Sequence, residues 1–197
     1  ATTATRIVNV VDTGAPAISL IGSNPILHEL STPFTDPGAT ANDAADGDLT
    51  PSIVASGTVD VNITSTYTLS YNLSDSQTNA APTVTRDVIV ADRTAPTITL
   101  TGNTTINHEQ GSLFTDPGAT ANDIIDGVIT ANIVVTGIVD ANTAGSYTLN
   151  YDVSDAAGNA ATTTVRTIVV ADSTAPVISL LGGDPLDHEV GTIFNDP

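Results

Sequence analysis

The chain repeats itself every 80 residues without a gap. His28-Glu29 recurs as His108-Glu109 and again as His188-Glu189. The run FTDPGATAND at 34–43 returns unchanged at 114–123, and Ala15-Pro16 returns as Ala95-Pro96 and Ala175-Pro176. Aligning 12–91 with 92–171 gives 41 identities in 80 positions. A fixed period of this length marks a tandem array of small domains, each contacting mainly its neighbours.

The frame sets the expected domain organisation. Residues 12–91 and 92–171 are whole units. Residues 1–11 align with the end of a unit, with Arg6 falling on Arg86 and Arg166, and are expected to be the last strand of a preceding repeat. Residues 172–197 align with 12–37 and are expected to be the first strands of a following one. The two fragments do not add up to a unit, so the chain reads as an excerpt from a longer array. No apolar run of transmembrane length is visible.

An 80-residue unit is large enough to fold alone, burying roughly 60–65% of its unfolded surface. The chain has no cysteine and no lysine, which removes disulfides and lysine isopeptide cross-links as staples. Stability must come from packing, neighbouring units or bound ions. The formal charge is −18, from 22 acids against four arginines. Nucleic acid is excluded as a partner, because phosphate binding needs clustered cations. Direct insertion in a membrane is not expected of this segment, and an anionic surface would repel it. The acids recur at fixed repeat positions instead of forming runs, so they belong to a folded chain. This composition suits an extracellular or cell-surface setting.

Strand signals dominate. Tyr147, Leu149, Tyr151 and Val153 share one parity, while Thr148, Asn150, Asp152 and Ser154 share the other. A period of two reads as a half-buried strand. A second strand is expected from Thr163 to Val170, joined to the first by a hairpin loop at 155–159. Shorter strands are expected at 97–100, 106–110, 118–122 and 129–136. Many short strands broken by Gly, Pro and Asp turns imply an all-β fold of tandem Ig-like antiparallel β-sandwiches on an 80-residue repeat. The stretch from Asp140 to Tyr147 reads as a tyrosine corner. The seven Tyr and Phe residues all sit where strand parity or repeat position implies burial.

Several blocks occur in fixed order: Asp92-Arg-Thr-Ala-Pro, FTDPGATAND, Asp126-Gly127, GSYTLNYDVSDAAGN, and a closing strand ending in Ala171-Asp172. Their order and spacing resemble bacterial Ig-like repeats of the kind found in a pesticidal crystal protein, with kinship to hyalin-type repeats. The resemblance covers both whole units and the partial ends. It implies a long secreted or surface-anchored bacterial protein. The first unit departs from the pattern with Thr78 where the second has Gly158, and Ser65 where the second has Gly145.

In that topology the start of each unit and two of its loops lie at one end of the sandwich. This would gather Asp92, Asp123, Asp126, Asp155 and Asn159 in the second unit, and Asp12, Asp43, Asp46, Asp75 and Asn79 in the first. Asp172 opens the next set, and Asp48 is an extra acid replaced by Val128. Oxygen ligands without lysine or histidine suit a hard cation, and calcium is the expected cofactor. The same residues also serve as ordinary turn and cap chemistry, and both readings stand at this stage.

The His-Glu pair invites a zinc reading, but one histidine per 80 residues is poor for a metal that takes three or four nitrogen or sulfur ligands. A strand histidine facing solvent or a partner carboxylate is the simpler expectation. Asp36 with Asp43, or Asp43 with Asp46, form a conceivable acid/base pair. A site repeated in adjacent units with no aromatic platform reads as structural, and no enzyme is expected. The sequons at Asn62, Asn72 and Asn103 matter only in a eukaryotic secretory pathway.

The sequence therefore points to a stalk or fibre segment of an extracellular bacterial repeat protein, adhesin-like or filament-forming, stiffened by calcium at inter-repeat junctions. Its partners are the neighbouring repeats, with self-assembly as a further option. The alternative is a glycan- or protein-binding accessory module of a secreted enzyme, toxin or phage particle.

Overall fold

The computed structural model describes residues 2–181 and 186–195. The remaining positions, all within the expected terminal fragments, lie outside the described residues. Contacts divide the chain into two compact units. One comprises the chain to residue 99 with 119–134 and 152–163; the other comprises 100–118, 135–151 and the chain from 164.

In the first unit, the first repeat builds seven strands: β1 (Ala17–Leu20), β2 (Ile26–Glu29), β3 (Ala39–Asp43), β4 (Gly47–Asp48), β5 (Val54–Ser56), β6 (Ser65–Asn72) and β7 (Val84–Ala91). They form a three-stranded sheet, β1-β3-β4, and a four-stranded sheet, β2-β7-β6-β5. Ala39 from the first sheet shares one apolar cluster with Leu69, Tyr71, Val88 and Val90 from the second, with Ile18, Leu20 and Ile26 packed against it. The two sheets thus face each other as a sandwich. The parity expected from sequence places these side chains inward. Val88 and Val90 have no exposed surface. Each such burial stabilises the fold by about 1.5–3 kcal/mol.

The second repeat gives the same order: β8 (Thr97–Leu100), β9 (Thr105–Glu109), β10 (Ala119–Asp123), β11 (Gly127–Val128), β12 (Val134–Thr136), β13 (Gly145–Asp152) and β14 (Thr164–Ala171). Its sheets run β11-β10-β8 and β12-β13-β14-β9. Leu149, Tyr151, Ile168 and Val170 are buried.

Two features differ from the sequence expectation. One pair per repeat is parallel: β2 runs with β7, placing Glu29 opposite Ala91, and β9 runs with β14, placing Glu109 opposite Ala171. In the first repeat the chain leaves the sheet of β1 and crosses to the other sheet for β2. It therefore lies along the last strand in the same direction. Secondly, the strand expected at 129–136 is broken by a 3₁₀ turn at Thr130–Asn132, as its counterpart is at Thr50–Ser52. The turn carries the first repeat's chain from one sheet to the other. Thr50 Oγ1 anchors it by accepting from Ala41 N at 3.0 Å, and Thr130 does the same for Ala121.

The tyrosine corner forms in both repeats. Tyr147 donates its hydroxyl to the Thr143 carbonyl at 2.8 Å, and Tyr67 to Ile63 at 3.1 Å. Of the aromatics, Tyr71 and Tyr151 are buried and Phe194 is exposed. Residues 2–11 and the described part of 172–197 form no strand. A strand is made by pairing, and these segments have no partner strand among the described residues.

Candidate metal centre

Of the four acids predicted to converge in each repeat, three do so at its loop end, without Asp46 in the first and without Asp123 in the second. In the first, Asp12, Asp43 and Asp75 each bring a carboxylate oxygen within 4.8 Å of the others. Asp12 stands four residues before buried Pro16, Asp43 ends β3, and Asp75 opens the hairpin loop between β6 and β7. Each is fixed by its own backbone. Asp43 Oδ1 accepts from the amides of Ala45 and Asp46 at 2.8 and 3.1 Å. Asp75 Oδ1 accepts from Gln77 and Asn79, and Asp12 Oδ1 from Gly14. These are the local turns that Asp forms readily. They explain why the carboxylates are held rigidly, but they leave oxygens over. Asp12 Oδ2 is buried with no hydrogen-bond donor.

The second repeat brings together Asp92, Asp126 and Asp155. Asp123 takes the place of Asp43, with Oδ1 accepting from Ile125 and Asp126. It is 3% exposed, and its Oδ2 is buried without a donor. The amide of Asp126, then those of Ile125 and Ile124, outweigh burial and hold the Asp123 carboxyl below its usual range. It is therefore charged at neutral pH. Burial pushes the Asp92 carboxyl upward, and the charges of Asp123, Asp155 and Glu29 push the same way. A buried, charged carboxylate oxygen with no donor, beside further carboxylates, is a donor set for a hard cation.

The other predicted residues hold the site instead of entering either trio. Asn79 donates Nδ2 to Asp75 at 2.6 Å and to the Asp12 carbonyl at 3.3 Å. Asn159 does the same for Asp155 and Asp92. Each asparagine thereby ties the hairpin loop to the start of its own repeat. Asp46 is turned aside: its Oδ2 accepts from Ser76 N at 2.8 Å and its Oδ1 from Ser76 Oγ at 2.9 Å. Asp126 gives only Oδ2 to the equivalent amide, that of Ala156, at 2.7 Å. Asp172 Oδ1 accepts from Thr174 N, and Asp48 caps Thr50 N.

The histidines do not face a carboxylate. His28 Nε2 meets Thr32 Oγ1 at 3.2 Å and the Thr32 carbonyl at 3.0 Å, and the ring stands edge-on to Phe34 at 5.1 Å. His108 repeats this with Ser112 and Phe114. The turn after the strand supplies both partners of the ring nitrogen. Its companion glutamate has a role that sequence reasoning missed. Glu29 accepts from the amide of Arg93, at 3.1 Å to Oε2. Glu109 accepts from the amide and hydroxyl of Ser173 and from Thr174 Oγ1. The recurring glutamate thus grips the first residues after the next Asp, and its recurrence at period 80 is the signal that marks it.

Asp36 and Asp116 are not free to act as acid or base. Asp36 pairs with buried Arg86 at 2.6 Å, and the Tyr71 hydroxyl reaches both of its oxygens at 2.8 Å. Arg86 Nη2 also donates to the Ile21 and Gly38 carbonyls. Arg166, Asp116 and Tyr151 repeat the arrangement.

The sequence matches the bacterial surface protein, Ig-like domain family over residues 18–90 and 98–170. No curated protein matches the chain. Among solved structures, the lipoprotein BT2262 from Bacteroides thetaiotaomicron is 19% identical, with 77% of this chain and 98% of that one covered at a TM-score of 0.36. The M60 catalytic domain with the CBM51-1 and CBM51-2 domains from Clostridium perfringens ZmpB is 14% identical, with 80% of this chain and 31% of that one covered at a TM-score of 0.50. Among the described residues no helix is long and apolar enough to cross a membrane. The chain belongs to the family of bacterial surface protein Ig-like domains and carries two tandem copies of it.

Proposed function

We propose that the chain is a spacer segment of an extracellular stalk or fibre, in which calcium bound at the start of each repeat stiffens the junction with the repeat before it. The observation that carries this reading is the convergence of Asp92, Asp126 and Asp155, with the charge of the buried, donorless Asp123 carboxylate acting on Asp92. Asp92 is the first residue of its repeat, and the amide that follows it is already gripped by Glu29 of the preceding one. An ion on Asp92 would add a second restraint at the same point. Copy number then sets length, and the charge of −18 keeps neighbouring stalks apart, more so at low salt.

Extracellular calcium modules bind with Kd on the order of 10⁻⁴ to 10⁻³ M. Tenfold excess over such a Kd adds about 1.4 kcal/mol of stability. The test is calorimetric titration of the whole chain with calcium, paired with small-angle scattering in calcium and in chelator. Binding in that range with a more extended profile supports the reading. No heat up to about 10⁻² M, tenfold above that range, with superimposable profiles, overturns the cation role.

A second reading, an accessory binding module, is favoured by one observation. Exposed Ile124 and Val128 border a groove lined by Thr97, Thr99 and Thr120 in the second repeat. Their counterparts in the first are Ala44 and Asp48. If this groove binds a ligand, Ile124→Ala with Val128→Thr should abolish binding and leave calcium titration unchanged.

A further inference from the structure

The chain has no lysine and four arginines, and the fold gives the four very different access. Arg86 and Arg166 lie within β7 and β14 with no exposed surface, each paired with an aspartate. Arg6 is exposed in a stretch that forms no strand. Arg93 is exposed too, and residues 92–96 around it belong to no strand, between the end of β7 and the start of β8. Among the described residues its guanidinium makes no ion pair. Its repeat counterparts are Thr13 and Ser173, so of these three positions only 93 carries a cationic side chain.

We infer that Arg93–Thr94 is a processing site for an endopeptidase of trypsin-like specificity, and that Glu29 holds it closed. Such an enzyme takes a long cationic side chain into an acidic pocket and binds the flanking backbone as an added, extended strand. Arg93 presents the side chain freely, but the backbone before the bond is already engaged. Val90 and Ala91 lie in β7, and the Ala91 carbonyl accepts from Leu30 N at 3.0 Å. Both Glu29 oxygens accept from the Arg93 amide, at 3.1 and 3.3 Å. A protease must take over these same groups, so local release from β2 and Glu29 precedes cleavage. Hydrolysis then breaks the C–N bond between Arg93 and Thr94, with water adding OH to the Arg93 carbonyl carbon and H to the Thr94 nitrogen. The cut falls between the two matched domains, 18–90 and 98–170, and leaves both whole. The site is independent of any bound cation.

The experiment digests the folded whole chain with trypsin and follows the products over time by mass spectrometry. Cleavage after Arg6 should come first, because no strand holds that segment, and it shows that the enzyme is active. Cleavage after Arg93 should follow more slowly and give two stable products, with the bonds after Arg86 and Arg166 intact until the chain is denatured. Cleavage of a transiently opened segment tracks how often it opens. Glu29→Gln, which loses the charged acceptor, should therefore speed cleavage after Arg93 several-fold and leave the Arg6 rate unchanged. Glu29→Leu should speed it by about tenfold or more. Arg93→Ser should abolish it. Circular dichroism melts of the variants serve as the folding control. A bond after Arg93 that stays intact once cleavage after Arg6 is complete overturns the site. Loss of Arg86 or Arg166 bonds at the same rate as Arg93 overturns it too, since global unfolding would then be the route. Equal Arg93 rates in the Glu29 variants and the unsubstituted chain overturn the role of Glu29.

Discussion

Arg86 meets Asp36 at 2.6 Å from a side chain with no exposed surface, and the Tyr71 hydroxyl completes the same carboxylate at 2.8 Å. Burial works against the charged form of Asp36, but the Gly38 amide, the Tyr71 hydroxyl and the Arg86 guanidinium outweigh it and hold the carboxyl below 3.8. A carboxylate with a depressed folded pKa contributes stability that is present above its unfolded value and is lost as pH falls through the folded one. Tyr71 moves the other way: burial, then the Asp36 hydrogen bond, push it up to about 12. Its contribution is complete below its unfolded value of 10 and is lost as pH rises through about 12. Chemical denaturation at a series of pH values should therefore show a plateau bounded by an acid fall below pH 4 and an alkaline fall between 10 and 12.

Removing one partner should cost far more than the pair contributes. Asp36→Asn leaves a buried guanidinium without its counter-charge, at a cost of about 3 kcal/mol. That is the lower end of the range for such pairs, because the Asp36 side chain keeps 26% of its surface. Tyr151→Ala should cost about 3–5 kcal/mol, as large aromatic truncations do. Thr148→Ala, on the exposed parity of the same strand, should stay within about 0.5 kcal/mol. Urea midpoints of the three proteins decide it. Similar losses from Tyr151 and Thr148 would remove the parity argument.

The strand parity and the tyrosine corner were legible in the sequence because each depends on local spacing, the repeat frame because the 80-residue period is gapless, and the convergence of Asp12, Asp43 and Asp75 because the Ig-like topology brings the start of a repeat and two of its loops to one end. The buried arginine was legible in principle. Val84, Arg86, Val88 and Val90 share one parity, and an arginine on an apolar face beside a recurring Asp36 calls for burial with a partner. The parallel pairing of β2 with β7 was not readable, since it is set by which sheet each strand joins. The 3₁₀ turn at Thr130–Asn132 was hidden by the apolar positions on either side of it. The hydrogen bond from the Ser76 hydroxyl to Asp46, 30 residues away, is one that no local pattern announces.

Thr78 adopts φ 72° where the second repeat places Gly158 at φ 92°. The hairpin loop keeps its shape despite the substitution, with Asp75 N bonded to the Asn79 carbonyl and Asp155 N to that of Asn159. Left-handed backbone costs a non-glycine residue about 1–2 kcal/mol, and glycine returns about 0.5–1 of that through the unfolded chain. Thr78→Gly should therefore raise stability by about 0.5–1 kcal/mol, and Gly158→Thr should lower it by a similar amount. Gly57 is a harder constraint. At φ 103° an added Cβ would lie 2.6 Å from the Thr68 carbonyl oxygen. Gly57→Ala should destabilise by more than about 2 kcal/mol, since backbone must move in the central β6. Thermal melts that rank Gly57→Ala as the mildest change would refute the close approach.

Glu109 holds the chain after Asp172 through Ser173 and Thr174, and it offers a readout separate from global unfolding. The Ser173 hydroxyl, then the Thr174 hydroxyl and the Ser173 amide, lower its carboxyl from 4.5 to about 2. With the folded pKa depressed, the grip is complete above 4.5 and is lost as pH falls toward 2. The amide resonance of Ser173 should titrate in that window. Glu109→Gln keeps an acceptor oxygen but loses the charge, so the Ser173 amide should exchange with solvent several-fold faster while the melting temperature changes little. Glu109→Leu removes the acceptor and should raise exchange by about tenfold or more, an opening of local backbone alone. If Ser173 exchanges at the same rate in all three proteins, the glutamate of the His-Glu pair does not restrain the linker. Any stiffness at the junction would then rest on the cation site.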